Sequence, residues 1–381
     1  MGFVYDDNGK TIKLKDVESV EQYFNLNFFK EIRSQMLEGE RPQICKKCFQ
    51  VEDAGGMSVR QGYMQEYRDD EIFHDLVSKT QKDGAIEARV RSLDFSLSNN
   101  CNLKCIMCSP DASFPIKKDF DKLGIPYDTE FTKGANENWK DSAFFEKIIP
   151  DISSDLKTYL TTGGEPFLSK PHMQTLKLMI ESGNAENIML QYHTNCTVDN
   201  QRLYEVWNNF KHISVHLSID AFGELGEYIR FGSNFEKVNK TVDRIISHKK
   251  TGSEVHTCVQ VLNIFNLDEL YDWIKSKEDR IPRLPYHIWM HNPRWLHINI
   301  LPEKLKIRAL DKLNSYFEKN EINEHQYQVR KEQIISYLKR SINEPQDLEG
   351  LSIFKERIRQ FEKLRGQNPI ERFVPELNEI L

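Results

Sequence analysis

The sequence predicts an α/β fold: a partial (βα)6 TIM-like barrel over residues 89–305, a small N-terminal region at 1–88 and a helical extension at 306–381. Three observations lead there. Short stretches of period-two alternation are separated by stretches of helical period, which is the order of parallel βαβ units. Six such units are present, fewer than the eight of a closed barrel. One face of most strands is polar, and a side-chain-filled barrel would not tolerate so many unpaired polar groups. Those faces are expected to line a wide lumen.

The bulk numbers exclude several classes. With 381 residues, 39% hydrophobic and 29% charged, the chain has an ordinary globular composition. Its net charge is −6 and it carries no basic run, so nucleic acid is not an expected partner. No apolar stretch reaches the ~20 residues of a membrane span. The N-terminus does not read as a signal peptide. Seven cysteines, an odd number without an export signal, favour reduced thiols and metal ligation over disulfides. A cytoplasmic protein is expected.

In chain order, residues 2–5 and 10–14 flank Asp7-Asn8-Gly9, a hairpin signal. Phe24, Phe28, Ile32 and Met36 recur at helical spacing, and Gly39 ends that helix. Cys45 and Cys48 form a Cys-x2-Cys half-site, readable as ligands or as a pair of reduced thiols. Strand patterns then fall on Leu93–Leu97, Lys157–Thr162, Ile188–Tyr192, Ile213–Ile219, Val255–Leu262 and Leu296–Ile300. Helical patterns follow around Met173–Ile180, Leu203–Phe210, Phe235–Ile245 and Leu267–Ile274. The polar strand faces carry Asp94, Ser96, Gln191, His193, Asn195, His216, Ser218, Asp220, Gln260, His297 and Asn299. His193, His216 and His297 read as hydrogen-bonding residues of the lumen rather than metal ligands. Cys258 shares the lumen face, and Cys196 receives no role. Beyond residue 306, helices are expected around Leu310–Phe317 and Gln346–Arg365.

The chemistry-bearing core is Cys101, Cys105 and Cys108, three thiols within eight residues. Iron–sulfur clusters are held by compact cysteine runs of this kind, normally with a fourth cysteine. With three, one metal position stays open, as in catalytic metal sites. A zinc site would close with a second Cys or His pair, and none follows nearby. At the end of the second strand, Gly163-Gly164-Glu165 permits close backbone approach to a ligand. C-terminal strand ends are where βα units bind ligands. On the fourth strand, Ser218 and Asp220 share a face, and Arg230 can pair with a carboxylate.

The Cys-x3-Cys-x2-Cys spacing, with Met107 before the last cysteine, resembles the signature of radical S-adenosylmethionine (radical SAM) enzymes. Gly163-Gly164-Glu165 resembles the family's Gly-Gly-Glu motif. The run Leu217–Ala221 with Tyr228–Gly232 is similar to its fourth-strand region. The resemblance implies a 4Fe–4S cluster on Cys101, Cys105 and Cys108. It assigns Gly163, Gly164 and Glu165 to the SAM amino group, and Ser218, Asp220 and Arg230 to its ribose and carboxylate. Met107 counts among the cofactor-binding positions, and Gln260, Val261 and Asn263 fall where family members contact adenine. The implied activity is reductive cleavage of SAM and hydrogen abstraction from a substrate. Residues 31–33 and 36–42, with Cys45, Cys48, Glu52, Gly55, Ser58 and Arg60, look like the auxiliary-cluster segment of SPASM or twitch relatives. That resemblance leaves open a second iron–sulfur cluster. Its further cysteines are expected just before a hairpin like that at 2–14, where the sequence begins. Expected partners are a peptide or small-molecule substrate and an electron donor such as flavodoxin or ferredoxin. The alternative is a non-catalytic iron–sulfur or zinc-binding scaffold, which would not bind SAM.

Overall fold

The structure is a computed structural model and describes residues 4–5, 9–12, 19–53, 55–96, 98–127, 142–277 and 280–381. Leu97, Asp7 and Asn8, all part of sequence expectations above, lie outside the described residues. The chain divides into two compact units. One comprises residues 1–90 and 143–155, the other 91–142 and 156–381.

In the first unit an antiparallel bridge joins Tyr5 to Thr11, as a hairpin requires. The single helix expected from Phe24 to Met36 is instead two, Val20–Phe24 and Asn27–Leu37. Asn25 breaks them by turning its side chain to the backbone: Nδ2 donates to the Ile86 carbonyl, and Oδ1 accepts from the Ile86 N–H. Cys45 ends a 3-10 turn, and Cys48 lies on the helix Lys46–Asp53. Glu52 on that helix receives hydrogen bonds from Ser58 Oγ at 2.5 Å and from Arg60 Nη2 at 2.6 Å.

The second unit contains one six-stranded, all-parallel sheet in sequential order. The strands are β1 (Ser92–Ser96), β2 (Thr158–Thr162), β3 (Met189–Thr194), β4 (His212–Ser218), β5 (Thr251–Val259) and β6 (Tyr286–Trp289). Since β1 and β6 do not pair, this is a partial (βα)6 barrel, as expected. Alternation decides which residues face the helices. Tyr159, Leu190, Tyr192, Ile213, Val215, Leu217, Val255 and Val259 are fully buried on the outer face. The intervening positions on β3 and β4 are only half-buried and form the lumen face.

The sixth strand corrects the sequence expectation. Leu296–Ile300 is not a strand but two 3-10 turns, Arg294–Leu296 and Ile298–Ile300. Its alternation is real in burial, because Leu296, Ile298 and Ile300 are all fully buried. The backbone N–H groups, however, bond locally, from Leu296 to Pro293 and from Ile300 to His297. His297 and Asn299 therefore leave the expected lumen set. The true β6, Tyr286–Trp289, is too short to show a period.

The C-terminal helices Glu303–Lys319, His325–Ile342 and Leu348–Arg365 belong to the barrel unit. Their buried faces join one apolar core with Ile106, Ile116, Tyr228, Ile229, Val259 and Leu262. No helix among the described residues is long and apolar enough to cross a membrane.

Candidate active site at the strand ends

The cysteine loop follows β1 and is stitched to two other segments. Its backbone pairs with the turn after Tyr228: Lys104 N donates to Phe231 O, and Ile106 N to Ile229 O, both at 2.9 Å. This brings Arg230 against the loop, with Nη1 3.9 Å from Cys105 Sγ. Ser113 caps the next helix, Phe114–Leu123, and its hydroxyl donates back to Leu103 O at 2.9 Å. The loop is thus held from both sides.

Gly163 and Gly164 close the third side. Both have positive φ, 82° and 57°. A Cβ on Gly164 would lie 2.2 Å from Asn100 O, so only glycine lets β2's end meet the cysteine loop. Glu165 N donates to the same Asn100 oxygen at 2.9 Å. The Glu165 carboxylate is buried and accepts from Phe167 N, Thr194 Oγ1 and Asn195 N. Burial raises its pKa to about 7, against the pull of those donors. In this arrangement Glu165 ties β2 to β3, and Asn195 Nδ2 reaches Cys101 Sγ at 3.8 Å.

Asp220 follows β4 and is buried. One oxygen accepts from Cys258 N at 2.9 Å, and the other from Arg230 Nε at 2.7 Å. Burial opposes the charge on Arg230, but the Asp220 carboxylate together with the neighbouring Cys105 and Cys258 more than offsets it and holds the pKa above the usual arginine range. The Asp220–Arg230 pair joins the ends of β4 and β5 to the cysteine loop. Ser218 is half-buried at the end of β4, and Met107 packs partly buried against the core.

None of the seven cysteines forms a disulfide. Burial raises the pKa of Cys101, lifts Cys105 to about 11 and lifts Cys108 further. Such thiols are inert without a metal, and binding one must displace their protons. The surroundings fit a buried metal–sulfur group. Arg230 faces Cys105, and Arg365 is near enough for its charge to oppose the rise at Cys105. Arg365 Nη1 and Nη2 are buried with no hydrogen-bond partner among the described residues. The Gln260 amide, just past β5, is likewise buried with both polar atoms unpaired among the described residues. A buried orphan amide at a strand end fits a site that a heterocyclic ligand completes.

Cys101, Cys105, Cys108, Gly163, Gly164, Glu165, Asp220 and Arg230 are therefore brought to one end of the sheet. Cys258 lies on the lumen face beside Asp220, and burial pushes its thiol up to about 12. Cys45 and Cys48 belong to the other unit. The lumen also holds His256, which the sequence reading passed over although it shares the parity of Cys258 and Gln260. Arg365 carried no sequence signal beyond a helical pattern.

Residues 95–275 match the model of the Radical SAM superfamily. No curated protein matches the chain. Among solved structures, "Native anSMEcpe with bound AdoMet" is 16% identical, with 61% of each chain covered and a TM-score of 0.42. SuiB of Streptococcus suis is 15% identical over 83% of this chain and 66% of that one, with a TM-score of 0.42. TYW1 with a lysine–pyruvate adduct is 14% identical over 60% and 72%, with a TM-score of 0.31. The chain thus spans 61% of the length of the first of these. The matched segment runs from β1 to the helix after β5 and contains the cysteine loop, the Gly-Gly-Glu turn and the Ser-x-Asp strand end in order, so membership of the radical SAM superfamily is well supported.

Proposed function

We propose that this protein is a radical SAM enzyme acting on a peptide or protein side chain, with a small metabolite as the second substrate class. The observation that carries the reading is the convergence of three separated motifs on one rim of the sheet. Cys101, Cys105 and Cys108 would hold a 4Fe–4S cluster with one iron open. When bound, the reduced cluster supplies the electron that cleaves SAM to methionine and a 5′-deoxyadenosyl radical able to abstract hydrogen from substrate. Gly163, Gly164 and Glu165 would form the wall beside the SAM amino group, and Ser218, Asp220 and Arg230 the wall beside its ribose and carboxylate. Met107 and Gln260 would border its remaining surface. The protein's own work is orientation and exclusion of water. The pre-assembled Asp220–Arg230 pair supports this, because it keeps a cation beside the cysteine loop without reorganisation.

The peptide preference rests on residues 1–88, which we assign as a SPASM- or twitch-like auxiliary region. Glu52, Ser58 and Arg60 of that segment form one hydrogen-bonded group. Cys45 and Cys48 would contribute to a second cluster there. The electron donor would be a flavodoxin or ferredoxin.

The decisive test is anaerobic reconstitution with iron and sulfide, reduction, and addition of SAM. Formation of 5′-deoxyadenosine is expected. Its absence, together with a cluster spectrum indifferent to SAM, would favour a non-catalytic iron–sulfur or zinc-binding scaffold. Iron retained by a Cys101/Cys105/Cys108 triple alanine variant would locate a second cluster at Cys45 and Cys48; an iron-free variant would refute it.

A further inference from the structure

Three histidines from three adjacent strands meet on the lumen face. His193 of β3 is in register with His216 of β4, and His256 of β5 is in register with Ser218 of β4. One ring nitrogen of each lies within 4.8 Å of the others. His193 Nε2 and His216 Nδ1 are 3.1 Å apart.

Their outer partners orient the rings. His256 Nε2 is bonded to Glu254 Oε1 at 2.9 Å. The other Glu254 oxygen accepts from the buried Arg330 at 2.5 Å, so the carboxylate is itself fixed. That leaves His256 Nδ1 buried with no hydrogen-bond partner among the described residues. On His216, Nε2 lies 3.3 Å from Ser214 Oγ, and Nδ1 is turned toward His193. A carboxylate on the far nitrogen is how proteins orient a metal-ligating histidine. A purely structural histidine cluster would be expected to pair the orphaned Nδ1.

We propose that His193, His216 and His256 bind one divalent transition-metal ion, of the zinc or iron class, in the barrel lumen. Imidazole donors suit these metals, and three protein ligands leave a position open, as in catalytic sites. The His216 and His256 rings stack at 4.2 Å and 10°, so one must tilt to bring both lone pairs onto one ion. The site is separate from the cysteine loop. His193 and His216 lie one strand repeat, about 6.6 Å, deeper than Ser218, and His256, in register with Ser218, borders the strand-end rim. Its open position would take a carboxylate or carbonyl oxygen.

Zinc uptake by the reconstituted holoenzyme tests this. At one equivalent of zinc, absorption at the zinc edge reports zinc ligands apart from cluster iron. The expected result is one zinc per chain, with nitrogen and oxygen neighbours, imidazole outer-shell scattering and no sulfur. A His193→Ala/His256→Ala variant should lose that zinc at unchanged iron content. Glu254→Gln should weaken affinity about 10–100-fold. No retained zinc, a sulfur shell, or equal uptake by the double variant would overturn the proposal. Should the double variant not fold, the wild-type edge spectrum and Glu254→Gln still decide. No SAM is involved, so failure here is distinct from failure of the proposed activity.

Discussion

Gly164 concentrates the constraints on the site into one residue. Its positive φ and its contact with the Asn100 carbonyl both exclude a side chain. Gly164→Ala is expected to cost at least about 1–3 kcal/mol from backbone strain alone. The cysteine loop should shift as well, so iron and sulfide per chain after reconstitution should fall along with the thermal midpoint. Asp220→Asn makes a second prediction. It leaves the buried Arg230 guanidinium without its counter-charge, a loss of roughly 3–5 kcal/mol by the behaviour of broken buried pairs. Urea unfolding of the apo chain measures it. A variant as stable as the parent would mean that Arg230 is balanced by some other group. At this scale the sequence was readable where chemistry demands a rare pattern, as in the cysteines and paired glycines. It was silent where a common residue acquires its role from neighbours. His256 is one such residue; Arg365 is another.

At the scale of elements, strict alternation made β3 and β4 legible, because one face packs on helices and the other borders the lumen. The same rule misled at Leu296–Ile300, where alternate burial arises from two 3-10 turns rather than a strand. The helix His325–Ile342 went unread because its apolar positions are spread among charged ones. The helix Lys170–Glu181 shows a different coupling. Its fully buried His172 bridges the Tyr159 and Tyr192 hydroxyls on β2 and β3. Burial lowers the His172 pKa from 6.5 to about 3. The unfolded chain therefore binds this proton at a higher pH than the folded one does. Stability from this group is present above about 6.5 and lost as the pH falls toward 3. The slope is at most about 1.4 kcal/mol per pH unit for one group. Unfolding free energies of His172→Gln across that range should show a shallower acid slope; an unchanged slope would reject the assignment.

Over the barrel unit as a whole, the C-terminal extension is a structural part of the site. Arg365, at the end of the helix Leu348–Arg365, pairs with Asp119 at 2.9 Å, both about 1% exposed. Asp119 also holds Lys104 of the cysteine loop at 2.7 Å. The last long helix is thereby linked through Asp119 to the residues between the first two cysteines. Arg365→Ala should cost roughly 3–5 kcal/mol in unfolding free energy. It should also speed iron loss from the reconstituted protein under a chelator. Iron loss at the parent rate would show that the extension does not support the loop. The sequence by itself determined the parallel βα order, the open barrel, the three thiols and the glycine turn, because each follows from local periodicity or a rare short spacing. Only the tertiary structure decided which polar residues meet: Glu165 with Asn195, Asp220 with Arg230, Arg365 with Asp119, and the three lumen histidines. Those pairings join residues of different elements or turns, and strand register and helix docking, not local pattern, set the distances between them.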